Sequence, residues 1–455
     1  MQPLAPNQQL LPLTACVNER GHLVIGGCDV VELVAQWGSP LYIVDEVTLR
    51  TACRHYREGF KRFYPGPSQP IYAAKAWCCL GILAMVVSEG LGLDVVSGGE
   101  LTTAIRLGVP PERVYLHGNN KSQAELTLAL DYGCRIVVDN WHELKTLAQL
   151  AQERGRRVPI LIRLTPGIEC HTHEYIRTGH LDSKFGFDPS QWPALVDWLL
   201  GQSYLECIGL HAHIGSQIFA LDPHRDLTEV LVDYYAQGLQ AGLPLQAVNV
   251  GGGLGIRYVE TDQPPAIADW VRVVSEGVTQ HCQARGVPLP LLISEPGRSI
   301  VGPAGVTAYT LGGRKEIPGG RTYISVDGGM SDNPRPITYQ ARYQALVANR
   351  CLDPIAETVT VAGKHCESGD ILIRDISMPL TQPGDVLVVL ATGAYNASMA
   401  SNYNRMPRPA AVVVRDGDAE LLVRRETWED LLRHDCLPLR LELAESCDGG
   451  RGWGD

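Results

Sequence analysis

The residue that most strongly suggests chemistry is a lysine at the end of a short apolar run. Lys75 lies in the segment YAAKAW at residues 72–77, among small and aromatic side chains. Burial lowers the pKa of an ammonium group, and a neutral lysine can attack a carbonyl carbon and form a Schiff base. A lysine just past a strand can equally keep its ammonium in water. The fold around Lys75 has to decide between these interpretations.

Further polar side chains and glycine-rich turns stand at or near the ends of other apolar runs. They are Asp94, His213, Ser216, the three glycines at 251–253, and the segment EPGR at 295–298. Glycines in a turn leave backbone N–H groups free to approach a phosphate. One such turn is usually only a tight turn, but two turns after neighbouring strands predict a phosphate site.

The spacing of the apolar runs predicts the scaffold that brings these residues together. Eight short runs, at 71–74, 93–96, 114–116, 136–138, 160–164, 208–212, 248–250 and 291–293, alternate with helical patterns such as 122–130 and 141–154. Apolar strands that alternate with helices predict a parallel sheet covered by helices. Eight units in about 250 residues favour a closed (β/α)8 barrel of the TIM type, whose functional residues gather where strands lead into the following loops.

Beyond residue 305 the pattern changes to short strands separated by Gly, Pro and Asp turns. Strands are predicted at 306–311, 322–326, 356–362, 371–373, 385–390 and 411–415, and near the N-terminus at 22–25 and 41–45 around a helix at 29–37. This pattern predicts a β-rich sandwich or barrel domain. We expect residues 46–305 to form the barrel, residues 10–45 and 306–446 the β-rich domain, and residues 447–455 a flexible tail. Residues up to about 9 are expected to be loose.

The composition favours a small-molecule partner in the cytoplasm. The net charge of -11 disfavours binding to nucleic acid or an anionic membrane surface. Thirteen scattered cysteines in a chain of this size indicate reduced thiols. The first residues lack the pattern of a signal peptide, and no apolar run reaches the ~18 residues of a membrane span.

A lysine amine, a phosphate site and a carboxylate, Glu295, together favour pyridoxal 5′-phosphate as the cofactor. The alternative is a metal-dependent barrel, for which the segment CHTHE at 170–174 offers ligand-type residues. Two histidines separated by one residue point to opposite faces of a strand, and no second ligand cluster accompanies them. We therefore predict no metal.

Taken together, the motifs resemble those of the fold-III, alanine racemase-like pyridoxal-phosphate decarboxylases, and within them the diaminopimelate decarboxylase family. The resemblance extends from residue 38 to residue 409. The motifs are YAAKAW, DVVSGGEL, HTHEYIRTGHLDSKFGF, HAHIGSQI, NVGGGLGI, SEPGRSIVG, VDGGMSDNPRP, CESGD and ATGAY.

The resemblance implies a role for each residue around the cofactor. Lys75 would carry it as a Schiff base, Glu295 would pair with the pyridinium nitrogen, and His213 would stack on the ring. The phosphate would be held by backbone N–H groups near Gly253, Gly297 and Arg298, by the Tyr395 hydroxyl and by Ser216. Asp94 is also expected among the cofactor-binding residues.

The family further implies a homodimer with shared active sites that converts meso-diaminopimelate to L-lysine and CO2, the last step of lysine biosynthesis. Cys366 of the second protomer would return a proton to the substrate. A distal carboxylate needs cations and a distal amine an acceptor. Arg298, Arg335 and Tyr339 would serve the former, and Glu367 the latter. Tyr395 is also expected among the substrate-binding residues. Without the resemblance, Arg335 and Glu367 would be interpreted as surface residues and Cys366 as an inert thiol.

Other interpretations stay open at this point. The chain could be a related decarboxylase of carboxynorspermidine, arginine or ornithine, a siderophore-pathway relative, or a cofactor-binding relative without catalysis. The family usually has asparagine where Trp77 stands, which could alter the packing behind the cofactor. Cys78-Cys79 has no assigned role. The family also implies a mobile loop around Lys184.

Overall fold

The computed structural model describes residues 4–168 and 183–441 of the 455-residue chain. The CHTHE segment at 170–174 and the tail at 447–455 therefore lie outside the described residues, as does most of the HTHEYIRTGHLDSKFGF motif. Among the described residues, no helix is both long enough and apolar enough to cross a bilayer.

The chain begins with a small antiparallel sheet and one longer strand. The elements are β1 (Cys16–Val17), β2 (Leu23–Ile25), β3 (Cys28–Asp29), helix α1 (Val30–Trp37) and β4 (Leu41–Asp45). The first three strands form a sheet of their own. The expectation of a loose start is wrong, because Asn7 is fully buried and its amide donates to the carbonyl oxygens of Gly255 and Pro265. A single buried amide leaves no periodic signal in a sequence.

Eight parallel strands then close into a barrel, as the apolar runs predict. They are β5 (Ser68–Ala73), β6 (Gly92–Val95), β7 (Val114–Leu116), β8 (Arg135–Val138), β9 (Val158–Arg163), β10 (Leu205–His211), β11 (Ala247–Asn249) and β12 (Leu291–Ser294). Strand β12 pairs with β5 and closes the barrel. The (β/α)8 prediction is confirmed.

Helices cover the outside of the barrel, so its strands are buried on both faces and apolar almost throughout. The helices are α2 (Glu46–Phe63), α3 (Leu80–Ser88), α4 (Gly98–Arg106), α5 (Gln123–Tyr132), α6 (Trp141–Glu153), α7 (Trp192–Leu200), α8 (Asp222–Ala241) and α9 (Ile267–Arg285). Ser97, Ser122 and Asn140 each accept a backbone N–H at the start of α4, α5 and α6. These caps satisfy N–H groups that the helix itself leaves unpaired.

The interior of the barrel is packed rather than hollow. A layer of buried side chains fills it: Ile71, Tyr115, Val137, Leu161, Ala247 and Ile293. Packed layers of this kind are usual in the fold, and they leave the strand ends as the place for a ligand.

The rest of the chain forms the β-rich part. Its elements are α10 (Arg298–Val301), β13 (Gly305–Glu316), β14 (Thr322–Val326), α11 (Arg335–Tyr339), β15 (Ala345–Val347), β16 (Glu357–Ala362), β17 (Ile371–Met378), β18 (Val386–Val389), α12 (Asn396–Met399), β19 (Ala410–Arg415), β20 (Asp418–Val423) and α13 (Trp428–Leu432).

In this large sheet β4 lies between β13 and β19, so the N-terminal segment supplies a central strand, as predicted. The sequence did not predict β15 or β20. Strand β20 is an exposed edge strand, and without a buried face it shows no hydrophobic alternation. The domain boundaries at 46 and 305 stay a prediction.

Candidate active site

A cavity of about 710 Å³ opens where the barrel strands end. Its lining includes residues at or just past the carboxyl ends of strands β5, β9, β10 and β12, and residues 339–342 from the β-rich part complete the wall. The carboxyl ends of barrel strands are the usual position of active sites in this fold.

Most of the site residues predicted from the sequence meet in this cavity. Those that line it are Lys75, His213, Ser216, Gly253, Glu295, Gly297, Arg298, Arg335, Tyr339 and Tyr395. Asp94 is buried beside the lining and contacts Lys75. Cys366 and Glu367 are exposed and do not line the cavity of their own chain.

Lys75 follows β5 on a short helical turn, and its ammonium lies 3.5 Å from an Asp94 carboxylate oxygen. Burial alone would lower the pKa of Lys75, but the negative charges of Asp94 and Glu295, with Tyr395, raise it above its ordinary value. The sequence argument placed both residues at the site but did not foresee that Asp94 pairs with Lys75. In the chain by itself Lys75 is therefore an ammonium ion paired with Asp94.

Glu295 lies at the centre of a buried polar cluster. One carboxylate oxygen is 2.9 Å from Nε2 of His117 and accepts a hydrogen bond from the Asn249 amide at 2.7 Å. The other is 3.3 Å from Nε2 of His211. Burial opposes ionisation, yet the two imidazoles outweigh it and hold the pKa of Glu295 well below its usual range. Glu295 is thus a fixed, ionised acceptor inside the barrel mouth.

Burial lowers the pKa of His211 to about 4, so near neutral pH this imidazole is uncharged and donates a hydrogen bond. The rings of His117 and His211 meet edge to face, 4.9 Å apart. Ligand atoms of His117, His211 and Glu295 lie within 4.8 Å of one another, a spacing that a metal ion could also use. The sequence argument had instead weighed the 170–174 segment as a metal site, and that segment lies outside the described residues.

His213 follows β10 and is half-buried at the cavity wall. Its Nδ1 accepts the backbone N–H of Gly252 at 3.2 Å. Burial and the positive charge of Lys75 lower the pKa of His213 well below its ordinary value. A neutral imidazole fits the stacking role that the family resemblance implies for this residue.

The two glycine-bearing turns after β11 and β12 pack too closely for side chains. A Cβ on Gly252 would lie 2.2 Å from the carbonyl oxygen of Glu295. A Cβ on Gly253, where φ is +114°, would lie 2.8 Å from the oxygen of Gly215. Bare backbone at this position of the barrel suits an anion such as phosphate.

Arg298 ties several predicted residues into one wall. Its Nε and Nη2 donate to the Ser216 hydroxyl at 3.1 and 2.9 Å, and Nη1 donates to the Tyr258 hydroxyl at 2.6 Å. The guanidinium also lies 4.8 Å from the centre of the Tyr395 ring. Ser216 and Arg298 thus act as one hydrogen-bonded unit.

Arg335 is buried on the same wall, which excludes the interpretation as a solvent-facing arginine. Its Nη1 donates to the Tyr343 hydroxyl at 2.5 Å, and its guanidinium lies 4.9 Å from the centre of the Tyr258 ring. Burial would raise the pKa of Tyr258, but Arg298 and Arg335 on either side lower it. Two cationic groups therefore flank one tyrosine at the cavity wall.

Sequence reasoning missed several buried residues of the site, namely His117, Arg163, His211, Asn249 and Tyr258. His117 and Arg163 stand at the ends of β7 and β9, so the rule that strand ends carry function would have found them. Tyr258 lies in a long loop after β11, where no pattern in a single sequence marks it.

Trp77 does not disturb the cofactor side of the fold. It is buried and packs edge to face on Tyr42 of β4, with ring centres 5.7 Å apart, and it does not line the cavity. Burial raises the pKa of the neighbouring Cys78 to about 12, so this thiol is not a nucleophile at neutral pH.

Comparison with known proteins decides the family. A model for the pyridoxal-binding domain of pyridoxal-dependent decarboxylases matches residues 48–302. The chain is 60% identical over 445 residues to the diaminopimelate decarboxylase of Synechocystis sp., covering 96% of this chain and 95% of that protein. The chain belongs to the diaminopimelate decarboxylase family.

Two further diaminopimelate decarboxylases support this assignment. The enzyme of Bacillus subtilis is 45% identical over 433 residues, covering 94% of this chain and 98% of that one. The crystal structure of the M. jannaschii diaminopimelate decarboxylase in complex with L-lysine matches with a TM-score of 0.89 and 32% identity, over 96% of this chain and all of that chain.

The cavity fits the cofactor that defines the diaminopimelate decarboxylase family. Pyridoxal phosphate needs an amine, an anionic partner for its ring nitrogen and a phosphate cradle. Lys75, the ionised Glu295 and the bare turns at Gly252 and Gly253 provide these three features around one cavity.

Proposed function

We propose that this chain catalyses the pyridoxal-phosphate-dependent decarboxylation of meso-2,6-diaminopimelate to L-lysine and CO2, the last step of lysine biosynthesis. One observation carries the proposal. A single cavity joins a lysine amine, a buried ionised carboxylate and the guanidinium groups of Arg298 and Arg335, in a chain that is 60% identical to a named diaminopimelate decarboxylase.

The cofactor supplies an aldehyde that condenses with amines and a protonated ring that accepts electrons. When the cofactor is bound, Lys75 would hold it through its aldehyde carbon, and Glu295 would pair with the ring nitrogen and keep it protonated. His117, His211 and Asn249 hold the carboxylate of Glu295 in place and ionised. A carboxylate that is already oriented needs no reorganisation when charge develops in the ring.

Asp94 sets the proton state of the reactive amine. Its carboxylate is buried and lies 3.5 Å from the Lys75 ammonium, which it holds in position. Because Lys75 must lose a proton before it can react with a carbonyl, the charges that stabilise the ammonium oppose that step.

The charges at the wall favour a substrate with a distal carboxylate. Arg298 and Arg335 flank Tyr258 there, and we assign them, with Tyr339 and Tyr395, to that carboxylate. Among the described lining residues, the carboxylates are Glu295, held by imidazoles, and Asp262, which accepts the backbone N–H groups of residues 258 and 259. Discrimination against ornithine therefore rests on the two guanidinium groups, which a substrate without a distal carboxylate would leave without an anionic partner.

We place Cys366 and Glu367 in the cavity of a second copy of the chain. In the described structure both are exposed and lie outside their own cavity. In this arrangement the Cys366 thiol donates the proton that replaces CO2, and Glu367 accepts the distal ammonium of the substrate. The active sites of the homodimer are thus shared.

We also propose that the enzyme acts in the cytoplasm. All eleven cysteines among the described residues are free thiols. Unpaired cysteines on this scale are usual in a reducing compartment.

Incubation of the purified, cofactor-supplemented protein with meso-diaminopimelate tests the proposal directly. We expect L-lysine and CO2 in equal amounts, detected by mass spectrometry. Ornithine, arginine and carboxynorspermidine serve as rival substrates. CO2 from one of these without lysine from diaminopimelate would replace the substrate assignment. Binding of the cofactor at Lys75 without turnover of any of them would indicate a relative that has lost catalysis.

A further inference from the structure

The loop between β16 and β17 is held more firmly than an exposed turn requires. Its tip presents Cys366 and Glu367 to solvent, whereas His365 and Asp370 on either side are buried. Loop tips on a surface are commonly the most mobile part of a structure. The buried His365 and Asp370 therefore indicate that the two exposed side chains are held in one fixed direction.

The Asp370 carboxylate accepts most of the hydrogen bonds that hold this loop. Its Oδ1 accepts the backbone N–H of Met330 at 2.7 Å. Its Oδ2 accepts the backbone N–H of His365 at 3.0 Å and lies 2.8 Å from Nδ1 of the same histidine. Hydrogen bonds to a charged acceptor are stronger than neutral ones. Asp370 thus joins the loop to the segment that follows β14.

The surrounding backbone is shaped to admit this carboxylate. A Cβ on Gly363 would lie 2.0 Å from Oδ2 of Asp370, and a Cβ on Gly329 would lie 2.4 Å from the same atom. Any other residue at these two positions would displace the carboxylate. Two separate stretches of chain have glycine where Asp370 needs room.

A second set of contacts holds the other side of the loop. The backbone N–H of Cys366 donates to Oδ1 of Asn404 at 2.9 Å. The ring of His365 stacks on Tyr403, with centres 5.9 Å apart and planes 10° apart. Asn404 adopts a left-handed backbone conformation, which asparagine tolerates better than most residues. The backbone N–H groups of residues 365 and 366 are therefore both fixed by side chains.

We propose that Asp370, supported by His365 and Asn404, is a positioning residue for the proton donor. It fixes the direction in which the loop presents Cys366 and Glu367 to the cavity of the neighbouring copy. This inference rests on the proposed function, in which these two side chains act across the dimer. Proton transfer requires a donor within hydrogen-bond reach, and a displacement of about 1 Å can cost a hundredfold in rate.

Hydrogen exchange tests the anchor without reference to activity. In the holoenzyme, Asp370→Asn should raise amide exchange in the peptide covering residues 364–370 by about tenfold or more, because the amide group cannot accept all three hydrogen bonds. Asp385→Asn is the matched control. Asp385 is a buried carboxylate of the same sheet that accepts bonds from Asn349, Arg350 and Gln382. Unchanged amide exchange in this peptide would show that Asp370 does not anchor the loop.

A double-mutant cycle tests the positioning role. At saturating diaminopimelate, Asp370→Asn should lower kcat roughly tenfold in the wild-type background and leave the kcat of Cys366→Ala unchanged. If Asp370→Asn lowers kcat equally in both backgrounds, and Asp385→Asn does the same, the effect is a general loss of stability and the proposal is wrong. A wild-type kcat in Cys366→Ala would instead remove the thiol from the proposed function, and the exchange measurement alone would then decide on the anchor.

A milder variant keeps the proposal testable if Asp370→Asn does not fold. Asn404→Gly removes only the acceptor for the Cys366 N–H, and glycine tolerates the left-handed backbone at this exposed position. The same loss of kcat in the wild-type background, smaller in size and absent in Cys366→Ala, supports the positioning role. A kcat equal to that of the wild type, with unchanged exchange, counts against it.

Discussion

The cavity at the barrel mouth and the loop that carries Cys366 are built in opposite ways. In the cavity the polar groups hold one another in place, as the imidazoles of His117 and His211 hold the Glu295 carboxylate. In the loop the backbone is fixed, but the two reactive side chains, Cys366 and Glu367, face solvent. One region is chemically complete within a single chain and the other is not.

This difference separates the two halves of the proposed reaction. In the proposal the cavity holds the cofactor without a second copy, because Lys75, Glu295, the glycine turns and Tyr395 all belong to one chain. In the proposal the loop contributes only when a second copy brings it to a cavity. Substitution of Lys75 in the cavity should therefore abolish cofactor binding and chemistry together, whereas substitutions in the loop should spare cofactor binding.

Removal of the reactive lysine should have the largest effect. Lys75→Ala deletes the amine that binds the cofactor, and we expect lysine formation to fall at least about a thousandfold. Borohydride reduction of the cofactor-loaded wild type, followed by peptide mass spectrometry, should place a pyridoxyl group on Lys75 and none in the variant. Lys61→Ala, at an exposed position of α2, is the control. A pyridoxyl group on another lysine would overturn the assignment.

Removal of the thiol should be the next largest effect and should spare cofactor binding. Cys366→Ala is expected to lower kcat about a hundredfold, since general acids contribute on that scale, and to leave the borohydride-trapped label on Lys75. Equal mixtures of inactive Lys75→Ala and Cys366→Ala chains should recover about a quarter of wild-type activity, because half of the dimers are mixed and one of their two sites is intact. No recovery after verified subunit exchange would show that the sites are not shared.

Substitution of one guanidinium should affect substrate binding more than chemistry. Arg335→Lys keeps the charge but loses the fork geometry and the bond to Tyr343. The KM for meso-diaminopimelate should rise about tenfold, with kcat within a few-fold of the wild type. Arg374→Lys, at an exposed position outside the cavity lining, is the control. An unchanged KM would contradict the assignment of Arg335 to the distal carboxylate.

The parts that sequence reasoning predicted are those that leave a periodic or positional signal. The eight apolar runs predicted the barrel, since a strand buried on both faces is apolar throughout. Once the barrel was predicted, the position of Lys75, Glu295 and the glycine turns at strand ends followed from the fold. The contribution of β4 to the large sheet was predicted in the same way.

The parts that it missed depend on which side chains meet across the chain. Lys75 is an ammonium ion because the Asp94 carboxylate lies 3.5 Å away. No spacing in the sequence encodes that distance. Tyr258 contacts Arg298 and Arg335 from the long loop between β11 and α9, which has no regular sequence pattern. Trp77 contacts Tyr42 of a strand from the other part of the chain, so its role could not be inferred from the YAAKAW segment.

The smallest expected effect concerns stability and its dependence on pH. Asp332 is buried, and burial raises its pKa from an ordinary value of 3.8 to about 7, although the Tyr309 hydroxyl and the Gly329 N–H both donate to it. The folded chain thus binds this proton more tightly than the unfolded chain. The stabilisation is complete below about pH 3.8 and is lost as the pH rises to about 7, at a total cost of up to about 4 kcal/mol.

Asp332→Asn should therefore stabilise the protein at high pH and not at low pH. The amide is neutral at any pH, and it can accept the Gly329 N–H through its oxygen while it donates to the Tyr309 hydroxyl oxygen. Thermal unfolding followed by circular dichroism should give a Tm roughly 1–4 °C above the wild type near pH 8.5, and less than about half that gain near pH 5, where only part of the stabilisation has been lost. A variant that is less stable than the wild type at both values would show that the buried carboxyl is ionised in the folded chain. In that case the raised pKa of Asp332 would be wrong, and the segment between β14 and α11 would carry a buried negative charge.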